Sequence, residues 1–248
     1  MRWMFVVLMV GLCFVVGCSS SSTPALNTGG NEPPVEDPED DPVEDPVDDP
    51  FEDPDPTSGP PSAGYTMIWY DEFSGTELDR SKWSYRMLGP RREAVNVRNT
   101  VALDGEGHLV LTIRSVEEEI HAAMIGTEGR FAATYGYFEA RVLMQSTRGG
   151  WTGFWLQTPL MNSSGDDPTH NGAEIDIYEC FEPDNNVVGH YVHWNGYGDD
   201  ARQVGFGNRP VSNLTGRYHT FGLEWTPTEY VFYVDGQVSA RTSQGVSG

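Results

Sequence analysis

Positive charge is scarce in this sequence. Fifteen Lys and Arg stand against 37 Asp and Glu, a formal net charge of −22 over 248 residues. No basic stripe is present, which removes the electrostatic footprint of a nucleic-acid binder. Cysteine is nearly absent, with Cys13, Cys18 and Cys180 alone. Long apolar runs are missing too: Met4 to Val16 falls short of the roughly 20 residues that a membrane-spanning helix needs. No segment carries a helical period of useful length. A helical bundle, a membrane span and a disulfide scaffold are therefore excluded, and the strand pattern has to carry the fold.

The N-terminus is organised for export. Arg2 precedes the short apolar run, which reads as a signal peptide over residues 1–17. Val15-Val16-Gly17-Cys18 resembles the lipobox of bacterial lipoproteins. That resemblance implies cleavage before Cys18, diacylation of its sulfur and a lipid anchor in place of a span. Ser19 after the Cys points, by the same resemblance, to the outer membrane of a bacterium. Cys13 would leave with the signal and Cys18 would carry lipid, so Cys180 has no partner for a disulfide in the mature chain. Residues 18–63 form a tether: polar at first, then a quasi-repeat of Glu/Asp-Asp-Pro. Between 32 and 55 there are 13 acids and no base. Such a segment cannot bury enough apolar surface to fold, and its prolines and like charges extend it. Without signal and stalk the domain keeps 14 bases against 24 acids. This mild acidity disfavours a polyanionic partner.

Residues 64–248 suit one domain. Leu109, Leu111 and Ile113 share one strand face, as do Phe221, Leu223 and Trp225. Asp235-Gly236 after Glu229 to Val234 is a hairpin signal. Many short strands with turn signals give an all-β, antiparallel sandwich. A lectin could share that fold, so function must be read from the site.

The informative segment is Gly172-Ala173-Glu174-Ile175-Asp176-Ile177-Tyr178-Glu179. As a strand it turns Ile175 and Ile177 one way and Glu174 and Asp176 the other. In a regular strand Glu179 would then face the core, where an unpaired charge costs several kcal/mol, on the order of a buried-ion penalty. A β-bulge near Ile177-Tyr178 returns it to the face of Glu174. Three carboxylates on one face repel, so one holds its proton more tightly. Glycoside hydrolysis uses that asymmetry, with one carboxylate ionised and the other protonated.

E-I-D-I-Y-E resembles the bulged catalytic motif of glycoside hydrolase family sixteen, as in laminarinases, agarases and carrageenases. The resemblance runs in order over about residues 65–240. It includes Trp69-Tyr70-Asp71-Glu72-Phe73, Gly126 to Phe131, Tyr135 to Arg141, Gly150 to Trp155, Tyr218 to Trp225 and Tyr233 to Gly236. The family implies a jelly roll with a concave glycan cleft and a retaining mechanism. Glu174 is then the nucleophile and Glu179 the acid/base, with Asp176 tuning the nucleophile's charge. The resemblance makes Trp151 and Trp155 sugar-stacking residues, His193 and Trp194 cleft-lining residues, and Arg92 a substrate contact for which Arg91 competes. A structural calcium on the convex face also belongs to the family pattern; no catalytic cofactor does. His219 and Glu224 read as framework, and Cys180 as a small buried residue. His190 and His193 are three apart, so they face opposite ways and make a poor metal pair.

Two departures from the pattern stand out. Thr152-Gly153 replaces the usual Pro-Ala. The later strands expected after Asp235-Gly236, with a valine-aspartate-tyrosine-valine-like run, do not follow before Gly248, as in a truncated sandwich. The expectation is a monomeric, retaining endo-β-1,3(4)-glucanase acting on a polysaccharide. A galactan hydrolase of agarase, porphyranase or carrageenase type is the alternative substrate reading, with Arg91, Arg92 and Arg98 as the nearby basic cluster. A lectin-like binding module is the alternative of a different class, and transglycosylation a variant of the first.

Overall fold

The computed structural model describes residues 5–9, 59–146, 149–161 and 167–248. Cys13, Cys18, the acidic repeat and the rest of the expected leader lie outside them. Strands dominate the regular structure of the described residues. The first nine are β1 (Phe5–Met9), β2 (Ser84–Tyr85), β3 (Gly89–Arg91), β4 (Ala94–Asn96), β5 (Val101–Leu103), β6 (Leu109–Leu111), β7 (Arg114–Val116), β8 (Glu119–Ala122) and β9 (Ile125–Gly126). The longer ones come next: β10 (Gly136–Val142), β11 (Thr152–Gln157), β12 (Ala173–Cys180), β13 (Val187–Trp194), β14 (Arg202–Pro210), β15 (His219–Trp225), β16 (Tyr230–Val234) and β17 (Gln237–Thr242). One α-helical turn, Pro168–Asn171, leads into β12; Asp167 caps it by accepting from the Thr169 N–H.

The architecture is the expected all-β, antiparallel jelly-roll sandwich. A seven-stranded sheet in the order β14-β13-β12-β11-β1-β9-β2 carries the candidate site. A four-stranded sheet, β10-β15-β16-β17, lies in the same unit, and its inward side chains complete the core. Ile175, Ile177 and Tyr178 of β12 are fully buried with Phe221 and Leu223 of β15, and the Tyr178 and Phe221 rings lie 4.3 Å apart. Each such side chain contributes about 1.5–3 kcal/mol by leaving water. Asp235 and Gly236 both take positive φ (49° and 71°), the turn chemistry a tight hairpin between β16 and β17 demands.

Two findings bear on the expected boundaries. Gly59, placed in the tether by composition, donates its N–H to both carboxylate oxygens of Glu139 at 3.0 and 3.1 Å. Among the described residues, the contacts of the folded unit thus reach back to Gly59, five residues before Gly64. Secondly, β1 is drawn from the apolar run expected to be a signal. It pairs with β11 (Val7 with Trp155) and with β9 (Val7 with Gly126). Phe-Val-Val-Leu-Met has the β-branched and aromatic composition that suits a strand. The same residues cannot be removed and also fill this position, so a processed chain would present the edges of β11 and β9 to another strand.

Candidate active site

Antiparallel pairing builds the site from three neighbouring strands. On β11, Gln157, Trp155 and Gly153 stand opposite Glu174, Asp176 and Glu179 of β12. On β13, His193, Tyr191 and Gly189 stand opposite the same three carboxylates. Cross-strand partners share a face, so all of these belong to one surface.

The expected bulge is present. Register shifts between Phe154 and Trp155 on one side of β12, and between Asp176 and Glu179 on the other. Ile177 and Tyr178 are consecutive yet both buried, and Glu179 returns to the face of Glu174. A bulge leaves a backbone group without its ladder partner. Here the Ile177 carbonyl is met by the fully buried His190 ring, with Nδ1 at 2.5 Å. A carbonyl only accepts, so Nδ1 carries the proton, and Nε2 accepts from the Ser239 hydroxyl at 2.8 Å. Burial pushes the His190 imidazole down to about 4, which keeps it neutral in this role.

Different surroundings separate the two glutamates. Glu174 Oε2 accepts from Gln157 Nε2 at 2.7 Å and from the Tyr197 hydroxyl. Arg86 in turn donates to Gln157 Oε1. Burial, and then the Glu174 charge, push the Tyr197 phenol up, so it remains a donor. Burial also raises Glu174, while the two donors and the neighbouring His193 favour its charged form. Glu179 accepts one hydrogen bond, from Trp151 Nε1 at 2.7 Å. Burial, followed by the Asp176 charge, pushes it up to about 7. The two donors favour the ionised form of Glu174, whereas Glu179, with the Trp151 donor and the Asp176 charge beside it, holds a proton near neutral pH. Asp176, 4% exposed, sits between them and is raised by burial to about 6. Its Oδ2 lies 3.2 Å from His193 Nε2. Burial works against the imidazolium, yet Asp176 and the two glutamates raise His193 on balance.

Glu174, Asp176, Glu179, Trp151 and His193 are therefore brought together as expected. Arg91 and Arg92 lie over the Trp151 ring, with guanidinium carbons 5.5 and 4.4 Å from its centroid. Trp155 has the expected face but is only 6% exposed, roofed by Arg86 at 4.8 Å. Trp194 is a correction: strand alternation turns it away from His193 into the core, against Gly245. Arg98 does not join Arg91 and Arg92; it lies over Tyr85 at 5.5 Å. His219, bonded to Asp235 at 2.8 Å, is framework as expected, and so is Glu224, which accepts from Tyr65 and Tyr233. Cys180 is buried, and burial pushes its thiol up to about 11. Gln157, Tyr197, Arg86 and Tyr191 were not legible as site residues.

Among the described residues two clusters, Asp104-Glu106-His108 and Glu174-Asp176-His193, bring potential ligand atoms within 4.8 Å of one another. Calcium takes six to eight oxygens. Each cluster includes an imidazole, and Asp104 already accepts from the N–H groups of Glu106 and His108. Neither cluster fits calcium, and no step below uses a metal.

A sequence profile of the Glycosyl hydrolases family 16 matches residues 91–246. Among curated proteins, a beta-glucanase of Rhodothermus marinus is 30% identical over 189 residues, covering 71% of this chain and 65% of its own length. A keratan-sulfate endo-1,4-beta-galactosidase of Sphingobacterium multivorum is 28% identical, covering 73% of this chain and 44% of its own length. The chain thus spans less than two thirds of either relative. The solved laminarinase of Rhodothermus marinus superposes with a TM-score of 0.59 at 29% identity, covering 72% of this chain and 74% of that one.

Proposed function

The chain belongs to the Glycosyl hydrolases of family 16, and from that premise we propose that it is a retaining endo-glycosidase acting on a β-linked glucan. The unequal hydrogen bonding of Glu174 and Glu179 carries the reading. In the first step a Glu174 oxygen attacks the anomeric carbon while Glu179 gives its proton to the departing glycosidic oxygen. That bond breaks, one sugar chain leaves with a free hydroxyl, and the other is esterified to Glu174. In the second step Glu179, now ionised, takes a proton from water. The resulting hydroxide-like oxygen attacks the anomeric carbon and frees Glu174. Configuration is retained because the carbon is inverted twice. Tyr197 and Gln157 hold the Glu174 carboxylate in place, and Arg86 orients Gln157.

The beta-glucanase and laminarinase likenesses support a 1,3- or mixed-linkage glucan as substrate. The second reading is a galactan. It is favoured by the likeness to a galactosidase and by Arg86, Arg91 and Arg92 on the β11 side, which suit an acidic sugar substituent. Reducing-end release from laminarin, lichenan, agarose and keratan sulfate separates the two. Turnover of laminarin or lichenan supports the first, turnover confined to a galactan replaces it with the second, and no turnover of any by folded protein sinks both.

The alkaline limb of kcat/KM reports Glu179, which must be protonated to act, so activity falls as pH rises through about 7. The Trp151 N–H favours the ionised form. Trp151→Phe is therefore expected to move that limb to higher pH, besides weakening binding. A limb that stays or moves down would contradict the assignment of Glu179.

Lipid anchoring through Cys18 in the cell envelope, at the outer membrane of a bacterium, is part of the same proposal. It is supported by the lipobox resemblance. Cys18→Ser is expected to shift the protein from the membrane to the soluble fraction; an unchanged distribution would refute the anchor.

A further inference from the structure

Catalytic strand β12 has the Trp151 and Trp155 rings on its β11 side. Its other side, formed by β13 and β14, is built in an unusual way. Tyr191 stands opposite Asp176 on β12 and opposite Gly205 on β14, so its side chain shares the face of the carboxylates. Three glycines surround its ring. A Cβ added at Gly189 would lie 2.4 Å from Tyr191 Cε2, and one at Gly205 would lie 2.5 Å from Cδ1. At Gly207 it would lie 3.1 Å from the hydroxyl. None of the three has a positive φ, so backbone conformation does not require glycine there. Close approach of the ring does.

Glycine inside a strand weakens it and marks a place where something lies close to the backbone. Here three glycines on two adjacent strands let one phenol ring lie flat along the sheet. Tyr191 itself remains partly exposed. The His193 ring lies beside it, 6.2 Å away and inclined by 24°. A flat aromatic face on the floor of a sugar cleft has one chemical use: it packs against the C–H face of a pyranose while its edge stays polar.

We infer that Tyr191, seated on Gly189, Gly205 and Gly207, is the platform for the sugar on the leaving-group side of the cleaved bond. The inference rests on the roles given above to Glu174 and Glu179. The ring lies over Gly189, the cross-strand partner of Glu179. A sugar stacked there presents its glycosidic oxygen beside the residue that protonates it. The donor Gln157, which holds the nucleophile, comes from the opposite side of β12. Burial and the charges of Glu179 and Asp176 also raise the Tyr191 phenol, in keeping with this position.

The test compares two substrates of the full chain: a laminarin hexasaccharide, and β-laminaritriosyl fluoride, whose fluoride leaving group is too small to reach the platform. Tyr191→Ala is expected to lower kcat/KM on the hexasaccharide about tenfold, the order of one aromatic contact. On the fluoride it should change less than about twofold by the same reasoning. Tyr191→Phe should match the wild type on both. Gly205→Val, which displaces the ring while keeping the phenol, should reproduce Tyr191→Ala. Equal losses on both substrates would place the residue in the framework or on the other side of the cleft, and no loss on either would remove the platform altogether. A wild type inactive on both, yet active on a galactan, would overturn the glucan reading instead, and the same comparison on galactan substrates would then decide the platform.

Discussion

Glu174→Gln is expected to abolish hydrolysis while leaving the protein at least as stable as before. Gln has the shape of Glu and keeps a carbonyl oxygen that can accept from Gln157 or Tyr197. It has no charge and cannot form the ester intermediate. Losing a nucleophile that acts together with an acid/base costs at least about four orders of magnitude in kcat. The effect on stability has the opposite sign. Burial raises Glu174 in the folded chain, so the folded state binds its proton more tightly than the unfolded state does. Stability from this group is full below the unfolded pKa and is lost as pH rises toward the folded one; at neutral pH the charged form is a net cost. Gln removes that cost and relieves repulsion from Asp176 and Glu179. Thermal unfolding at neutral pH should give an unchanged or higher Tm alongside turnover at background. A clearly lower Tm would mean that the carboxylate serves the framework, and activity within about tenfold of wild type would remove it as the nucleophile.

His190→Leu is expected to have the next largest effect, although this ring touches no substrate-facing group. His190 fills a core position against Phe232, ring centroids 4.9 Å apart, so Leu keeps much of the apolar volume. What Leu cannot do is donate to the Ile177 carbonyl or accept from Ser239. Each buried polar group left unsatisfied costs about 1–3 kcal/mol. The Ile177 carbonyl is the buried backbone group that the bulge leaves to His190, and the bulge keeps Glu179 out of the core. Once the bulge relaxes, the acid/base loses its place, so kcat should fall about a hundredfold, the size of one general-acid contribution. KM should change little. His190→Asn separates positioning from mere stability, because the Asn amide nitrogen sits where Nδ1 was and can donate to the same carbonyl. It should recover most of kcat while remaining less stable than wild type. If Asn and Leu lower kcat alike in folded protein, the ring does not act through the bulge.

How much of this was legible follows from distance along the chain. The five-residue step from Glu174 to Glu179 required a bulge, because strand alternation would otherwise have buried a carboxylate. The residues that hold Glu174 gave no such signal. Gln157 is 17 positions away and meets Glu174 only through the pairing of β11 with β12. Tyr197 lies between Gly196 and Gly198, in the turn after β13. Its nearness to Glu174 depends on the path the chain takes after β13. Trp194 was misplaced by its adjacency to His193, although the alternation that correctly set His190 against His193 also turns Trp194 inward. Arg98 was grouped with Arg91 and Arg92 by position in sequence; β4 and the turn after it carry it to Tyr85 instead. The Tyr191 floor was invisible because Gly189, Gly205 and Gly207 look like loosely placed turn residues until β13 and β14 pair.

The central claim is that Glu174 forms a covalent bond to sugar while Glu179 moves the proton. The direct measurement is mass spectrometry of peptides after incubation with a 2-deoxy-2-fluoro laminaribioside carrying a dinitrophenolate leaving group, which forms the glycosyl-enzyme quickly and releases it slowly. The account predicts one added disaccharide on the peptide that contains Glu174, localised to that residue, and absent from Glu174→Gln. An adduct on Glu179 or elsewhere, or steady turnover of natural glycan with inverted products and no adduct, would contradict it.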